Sequence, residues 1–211
     1  MAAQKGALAH CADGRDEPVE VCAEPAIKKS RFREAMSRVA AAVHNVTTDG
    51  PAGLGGITAT SVASVTLEPP MMLFCITKTS PSAVRMITNG VFCINTLVAS
   101  QESLANIFAG RTRHHLHERF TWGEWTKLVT GAPVLRRAGA AFDCCRTEVK
   151  EIRTHFVVIG AVKAVEYGPQ SCNFIYVSRG YGRIRGQEGQ RRHSAAVRFR
   201  ARAGESPREP N

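Results

Sequence analysis

The chain contains no apolar run of the roughly 18 residues that a membrane-spanning helix needs. Its first residues, MAAQKGALAHCADGRDEP, also lack the continuous apolar stretch of about 7–15 residues found in secretory signals. We therefore expect a cytoplasmic protein that does not associate with a membrane. With 211 residues, 44% of them hydrophobic, the chain is long enough for one domain with a sizeable core.

Cysteine usage excludes two further classes of protein. The seven cysteines are odd in number, two of them (Cys144 and Cys145) are adjacent, and none forms a C-x-x-C pair. Neither a disulfide framework nor a zinc knuckle is therefore expected. The histidine cluster His114, His115 and His117 stands in loop-like sequence, and we expect no metal there either.

Two common catalytic motifs are also missing. The sequence has no G-x-S-x-G nucleophile elbow. The glycines at positions 50, 53, 55 and 56 do not form G-x-G-x-x-G before a helix. A serine hydrolase of that type and a Rossmann dehydrogenase are not indicated, so any nucleotide must bind by another route.

The formal net charge of +10 raises the question of nucleic-acid binding. Residues 185–211 hold seven arginines and three glutamates, a net +4, and show little apolar periodicity. A basic disordered tail is therefore predicted at 186–211. Such a tail is able to contact RNA or anionic lipid, but the plainer interpretation is a solvated tail, and we expect no nucleic-acid partner.

Capping and turn residues predict three short helices. The first is expected at 31–42 after the cap Ser30. Its apolar positions recur at helical spacing and would share one face: Phe32, Met36, Val39 and Val43. The other two helices are expected between Ser80 and Gly90, with Pro81 as the first helical residue, and between Ser100 and Gly110.

Seven strands are predicted between these helices. Strand-like composition and turn signals place them at 43–48, 57–67, 71–78, 91–97, 140–149, 155–167 and 174–178. Their hairpin-like spacing, without regular βαβ alternation, favours an antiparallel barrel with short helices packed outside it. The predicted organisation is a flexible leader at 1–28, one domain at 29–185 and the basic tail.

The segment KTSPSAV (78–84) carries groups suited to an anion. Lys78 offers a positive charge, Thr79 and Ser80 offer hydroxyls, and Pro81 begins a predicted helix whose N–H groups and dipole favour a phosphate. The alternative is a capped helix with a surface lysine.

Two other features of the sequence also allow both a ligand-binding and a purely structural interpretation. In GGITATS (55–61), Thr58 and Thr60 on one strand face and Ser61 on the other would allow a flat polar ligand to approach the backbone. The alternative is an ordinary strand, because threonine favours strands. His155, at the start of a predicted strand, is able to hydrogen-bond or stack against a ligand, but a surface histidine would look the same.

Taken in order, six segments resemble the flavin reductase-like family, whose members are small FMN-binding split barrels. The segments are FREAMSRVAAAVHNVTT (32–48), GITATSVASVTLEPPMMLFCITKTS (56–80), GVFCINTLVASQESLANIFAG (90–110), GAPVL (131–135), THFVVIGAVKAVEYG (154–168) and FIYVSRGYGRI (174–184). Together they cover roughly 150 residues. T-x-T-S before a Pro-Pro turn, followed by a basic-hydroxyl segment, is the most specific part.

The resemblance implies roles for individual residues. The flavin ring and phosphate would be held by Thr58, Ala59, Thr60, Ser61, Cys75, Lys78, Thr79, Ser80, Asn95 and Phe108. The nicotinamide side would include Arg153, His155, Arg179 and Tyr181. Many members have Gly-Asp-His where this chain has Arg153-Thr154-His155, so the histidine is kept and the preceding pair differs. His155 would position the nicotinamide.

The resemblance also implies an activity. Members of the family transfer hydride from NADH or NADPH to FMN, or to FAD or riboflavin, and supply diffusible reduced flavin to a partner monooxygenase. No general base is needed for that step, in keeping with a sequence that offers no clear acid–base pair. Family members are homodimers. A flavin-binding protein without reductase turnover, for storage or sensing, is the alternative.

Overall fold

The computed structural model describes residues 27–168 and 173–184. Nearly all of the predicted leader and all of the predicted basic tail lie outside these described residues. The chain divides into a short N-terminal unit that ends at Met36 and a main unit that begins at Ser37. Helix α1 (Lys29–Ser37) accounts for most of the described part of the N-terminal unit.

The predicted first helix is wrong in its second half. Helix α1 ends at Ser37, and the following residues form the short strand β1 (Ala41–Ala42), in which Ala41 lies opposite Tyr176. Val43 is fully buried beyond that strand. The pairing with a distant strand therefore overrides the helical spacing of the valines, and they do not share a helix face.

Twelve strands occur in the described residues. They are β1, β2 (His44–Thr48), β3 (Gly55–Ala59), β4 (Val62–Leu67), β5 (Pro70–Thr77), β6 (Val91–Thr96), β7 (Trp125–Lys127), β8 (Pro133–Leu135), β9 (Ala140–Ile152), β10 (His155–Tyr167), β11 (Asn173–Val177) and β12 (Gly180–Ile184). The described residues also contain helices α2 (Ala83–Asn89) and α3 (Glu102–Phe108) and two 3₁₀ turns, Ala99–Gln101 directly before α3 and Glu118–Thr121 after it. The predicted strands from 71 onward and both later helices are confirmed within a few residues.

Seven strands form one antiparallel sheet with the order β3-β2-β6-β9-β10-β5-β4. Its two edge strands, β3 and β4, are consecutive in the chain and are separated only by Thr60 and Ser61. Two residues cannot span the width of a flat seven-stranded sheet, so the sheet must curl until its edges approach each other. This confirms the predicted antiparallel split barrel.

The predicted single strand at 57–67 is wrong, because the chain changes partner in its middle. Strand β3 pairs with β2, whereas β4 pairs with β5 in a hairpin that turns at Glu68–Pro70. The alternation of faces predicted from Thr58 to Val62 is therefore interrupted at Thr60 and Ser61, both of which are exposed. The hydroxyl-rich segment is a junction between the edges of the barrel.

Apolar side chains fill two regions of the main unit. Inside the curled sheet, Phe74 packs edge-on against Phe92 with ring centroids 5.0 Å apart, and both are fully buried. Outside the sheet, α3 packs with Val43, Leu135 and Phe174. This second region holds the C-terminal end of α3 firmly against the barrel. Of the helices in residues 27–168 and 173–184, none is long and apolar enough to cross a membrane.

His44 makes the free energy of unfolding sensitive to acid. Its ring is 8% exposed, it lies 3.1 Å from the Thr96 hydroxyl, and burial lowers its pKa from 6.5 to about 4. Between these values the unfolded chain binds the proton and the folded chain does not, so stability is full above pH 6.5 and falls as the pH drops toward 4. We expect a loss of about 3 kcal/mol over that interval.

The His44 prediction is tested by urea unfolding between pH 4 and pH 7. In His44→Gln the part of the pH dependence assigned to this ring should disappear. His155→Gln, which removes an exposed histidine, should retain the wild-type slope and serves as the matched control. An identical slope in wild type and His44→Gln would contradict the assignment.

Candidate active site

A cavity of about 460 Å³ opens where the edges of the barrel meet. It is bordered by the end of β3 and the β3–β4 junction, by the end of β5 and the turn that follows, by the C-terminal end of α3, and by Arg119 and His155. The lining side chains are Ile57, Thr58, Ala59, Thr60, Ser61, Cys75, Ile76, Thr77, Thr79, Ser80, Pro81, Phe108, Ala109, Gly110, Arg119 and His155. Among these described residues none is acidic.

Hydrogen bonds between Ser61 and Cys75 fix the junction that forms one wall. The Cys75 N–H donates to Ser61 O at 3.1 Å, and the Ser61 hydroxyl donates to Cys75 O at 3.4 Å. This pairing begins the β4–β5 hairpin and leaves Thr60 exposed at the edge of the cavity. The two segments predicted to contact a flavin are thus held side by side.

The Thr58 hydroxyl is already used inside the protein. Thr58 Oγ1 lies 2.7 Å from Ala105 O and 3.0 Å from Asn45 Oδ1, but a hydroxyl has only one proton to donate. The buried Asn45 Nδ2 has no partner among the described residues. Turning the Asn45 amide lets its nitrogen donate to Thr58, whose own proton then goes to Ala105 O. Thr58 therefore offers mainly its methyl group to a ligand.

Ser82 positions the turn on the opposite wall. Its buried hydroxyl accepts a hydrogen bond from Gly56 N–H at 3.1 Å and donates to Gly56 O at 3.0 Å. The start of α2 is thereby attached to β3. The rim formed by Thr79, Ser80 and Pro81 is held in place by that attachment. The sequence pattern indicates Ser80 as the N-cap of α2, whereas the N-cap in the structure is Ser82.

The helix predicted to begin at Pro81 begins two residues later, and two N–H groups of this turn are already bonded within the protein. Helix α2 begins at Ala83, and its N–H donates to Ser80 O at 2.9 Å, while Ser82 N–H donates to Ser80 Oγ at 3.3 Å. Lys78 does not line the cavity, because its side chain forms an ion pair with Glu151 and lies 5.6 Å from the centroid of the Phe156 ring. The turn contributes hydroxyls rather than a positive charge.

Arg119 supplies the positive charge that Lys78 does not. Its side chain is half-buried, its Nη1 donates to Phe108 O at 3.4 Å, and its buried Nε has no partner within the described residues. Burial lowers the pKa of the guanidinium. Arg119 lies in the segment 111–130, which the sequence predicts to be irregular, and nothing in its spacing pointed to the cavity.

An aromatic cluster closes the side of the cavity formed by α3. The Phe108 ring lies 5.1 Å from Phe120 and 5.6 Å from Trp125, centroid to centroid. It also packs directly on Gly56, where a Cβ atom would stand 2.5 Å from the ring. Gly110 ends this region with a φ of +71°, a conformation that glycine adopts without strain. This side of the cavity is therefore backed by tightly packed aromatic side chains.

His155 stands exposed at the mouth of the cavity. It lies opposite Thr77 in the β5–β10 pairing, and its Nδ1 is 2.9 Å from the Thr154 hydroxyl. Arg153 occupies the β9–β10 turn with a φ of +51° and does not line the cavity. The structure therefore brings the histidine, but not the arginine of the predicted Arg-Thr-His segment, to the site.

Three predicted site residues lie elsewhere. Asn95 is fully buried and bonds only to protein groups, so its position does not support direct contact with a ligand. Tyr181 stacks on Phe174 with centroids 4.7 Å apart, and its centroid is 5.3 Å from the Arg111 guanidinium carbon. Arg179 lies in the β11–β12 turn. Neither Arg179 nor Tyr181 lines the cavity.

The chemistry of the cavity fits a flat heterocycle with an anionic group. Thr60 and Ser61 line one side, the largely buried Phe108 adds apolar lining, and the half-buried Arg119 has a buried Nε without a partner in the described residues. The volume lies within the range of roughly 300–1,000 Å³ usual for small-molecule sites. Within residues 27–168 and 173–184, no group of three His, Cys, Asp or Glu side chains is arranged to hold a metal ion.

The fold and the cavity together define a split-barrel protein with a ligand-sized cavity where the edges of its sheet meet. Residues 36–185 match the family model described as "Flavin reductase like domain". The chain belongs to this family, and the predicted resemblance is confirmed.

Known relatives extend over most of this chain. It is 45% identical over 162 residues to "FMN reductase (NADH) RutF" of Ancylobacter novellus, covering 77% of this chain and 88% of that protein. The crystal structure of the ycdH protein of Haemophilus somnus 129PT superposes with a TM-score of 0.72 at 39% identity, covering 75% of this chain and 100% of the other. A nitrilotriacetate monooxygenase component B homologue from Mycobacterium thermoresistibile gives 0.68 at 26% identity, with coverages of 82% and 97%.

Proposed function

We propose that this chain is an NAD(P)H:flavin oxidoreductase that reduces FMN with NADH. The observation that carries the proposal is the cavity in which the β3–β4 junction (Thr60 and Ser61), Phe108, Arg119 and His155 come together. The relative named as an FMN reductase (NADH) supports the choice of flavin and coenzyme.

The protein's own part in this reaction is binding and exclusion of water. Flavin, when bound, supplies the redox chemistry by accepting hydride from the reduced nicotinamide. The Thr60 and Ser61 hydroxyls and the Thr79–Ser80 turn hold the polar groups of the ligand, and Phe108 covers an apolar face. His155, at the mouth, positions the nicotinamide. No lining residue is acidic among those described, in keeping with a reaction that needs no general base.

Further features of the proposal concern assembly and place of action. We infer that the protein is a homodimer that acts in the cytoplasm and passes reduced flavin to a monooxygenase. The relative named as a monooxygenase component supports the partner class. Strand β4, an edge of the large sheet, exposes Val65 (47%) and Leu67 (83%), which supports an apolar contact between copies.

Anaerobic stopped-flow mixing tests the proposed reaction. Protein loaded with FMN is mixed separately with NADH and NADPH while the flavin absorbance is followed. We expect bleaching that is much faster than for free FMN, with NADH the better donor, and hydrogen peroxide formation when air is admitted. Light scattering on the same preparation measures the mass, and a monomer would contradict the dimer.

The same experiment separates the proposal from its alternative. A storage or sensor protein would bind FMN but leave the bleaching rate at the free-flavin background. His155→Ala should raise the KM for NADH more than it lowers kcat, because the residue positions the coenzyme and transfers no proton. Arg153→Ala is the matched control, since that side chain does not line the cavity.

A further inference from the structure

Arg119 is a half-buried cation at the cavity with no acidic partner in the described part of the chain. The neighbouring Glu118 forms no ion pair with it in the described residues; its carboxylate accepts a hydrogen bond from His115 N–H at 2.8 Å. Burial lowers the pKa of the guanidinium, and no acidic group opposes that shift. A partly buried cation of this kind is stabilised by an anion or by strong hydrogen-bond acceptors.

The guanidinium is held in place by its surroundings. Phe120, the next residue, packs against both Phe108 and Trp125, with centroids 5.1 and 5.2 Å away. Arg119 Nη1 bonds to Phe108 O, and Nη2 lies 3.6 Å from the position that a Gly110 Cβ atom would occupy. The glycine therefore leaves room beside the guanidinium. Among the described residues its side chain makes one hydrogen bond, so N–H donors of the two terminal nitrogens remain for a ligand.

We propose that Arg119 binds a phosphate group of the ligand in this cavity, a role that Lys78 does not fill. The inference rests on the proposed function, because both ligands of that reaction carry phosphate: one on FMN and a diphosphate on the dinucleotide. A planar guanidinium with several free donors matches phosphate oxygens in geometry as well as charge. Lys78, by contrast, is already neutralised by Glu151.

Fluorescence titration with FMN and with riboflavin tests the role without turnover. Riboflavin has the same ring and no phosphate. In Arg119→Gln we expect FMN affinity to fall about 10- to 100-fold, while riboflavin affinity stays within about twofold. Arg119→Lys should recover part of the loss, because it restores the charge but not the fork of donors. Lys78→Gln is the matched control and should leave both affinities unchanged.

Titration with NADH, followed by its own fluorescence, identifies which phosphate is bound. If Arg119→Gln weakens NADH and leaves the FMN-to-riboflavin affinity ratio unchanged, the diphosphate of the dinucleotide is the ligand and the proposal stands in that form. Equal loss of FMN and riboflavin with NADH unchanged, or no loss for any ligand, would overturn it. Wild-type protein that binds neither flavin would instead refute the proposed function.

Discussion

Gly56→Ala should lower the free energy of unfolding by about 1–3 kcal/mol and weaken flavin binding. A Cβ atom at this position would lie 2.5 Å from Phe108 Cε1 and 2.7 Å from Cδ1, whereas carbon atoms in contact are about 3.5–4.0 Å apart. Phe108 is only 2% exposed and packs against both Phe120 and Trp125, so its ring has little freedom to move. Relief of the clash must therefore move a wall of the cavity.

The Gly56 effect is measured by urea unfolding and by FMN titration of the same variant. Gly180→Ala is the matched control, because its Cβ atom would meet only Val177 O at 3.9 Å; it should change neither quantity appreciably. Phe108→Leu removes the ring atoms that clash, so the double variant should be more stable than the sum of the single effects predicts. Strict additivity would show that the Gly56–Phe108 contact is not the cause.

Turn and capping residues, which act through local backbone preference, explain why most of the fold was predictable. The turn at Pro69–Pro70 and the left-handed glycines Gly90 and Gly110, with φ values of +69° and +71°, end their elements by local backbone preference. The break at Thr60 and Ser61 has no such local cause. Both halves have strand composition, and the change of partner follows from the curl of the whole sheet, which composition does not encode.

The site was predictable to a similar degree and for a similar reason. Thr60, Ser61, Thr79 and Ser80 follow strand ends and stand out in sequence as clustered hydroxyls. Arg119 does not stand out in this way, because its place depends on the packing of Phe120 against Phe108, at the end of helix α3. The guanidinium lies beside Gly110, and the packing of Phe120 against Phe108 helps to place it there.

Asn95→Ala should lower the free energy of unfolding by about 2–5 kcal/mol. Asn95 Oδ1 accepts from Leu135 N–H at 2.7 Å, and Nδ2 donates to Asn45 O and to Thr47 Oγ1, each at 3.1 Å. The residue is fully buried, so truncation leaves the Leu135 N–H and the Asn45 carbonyl without water to replace the lost partner. These bonds join β2, β6 and the end of β8 in one network.

The Asn95 experiment also separates support of the fold from contact with the flavin. At a temperature where the variant is folded, its FMN affinity should stay within about twofold of wild type, because the side chain lies outside the cavity. Asn106→Ala is the matched control: its amide bonds to Glu102 O in helix α3 at a half-buried position, and its loss should cost no more than about 0.5 kcal/mol. A stable Asn95→Ala protein with much weaker FMN binding would instead return Asn95 to the binding role that the family resemblance implied.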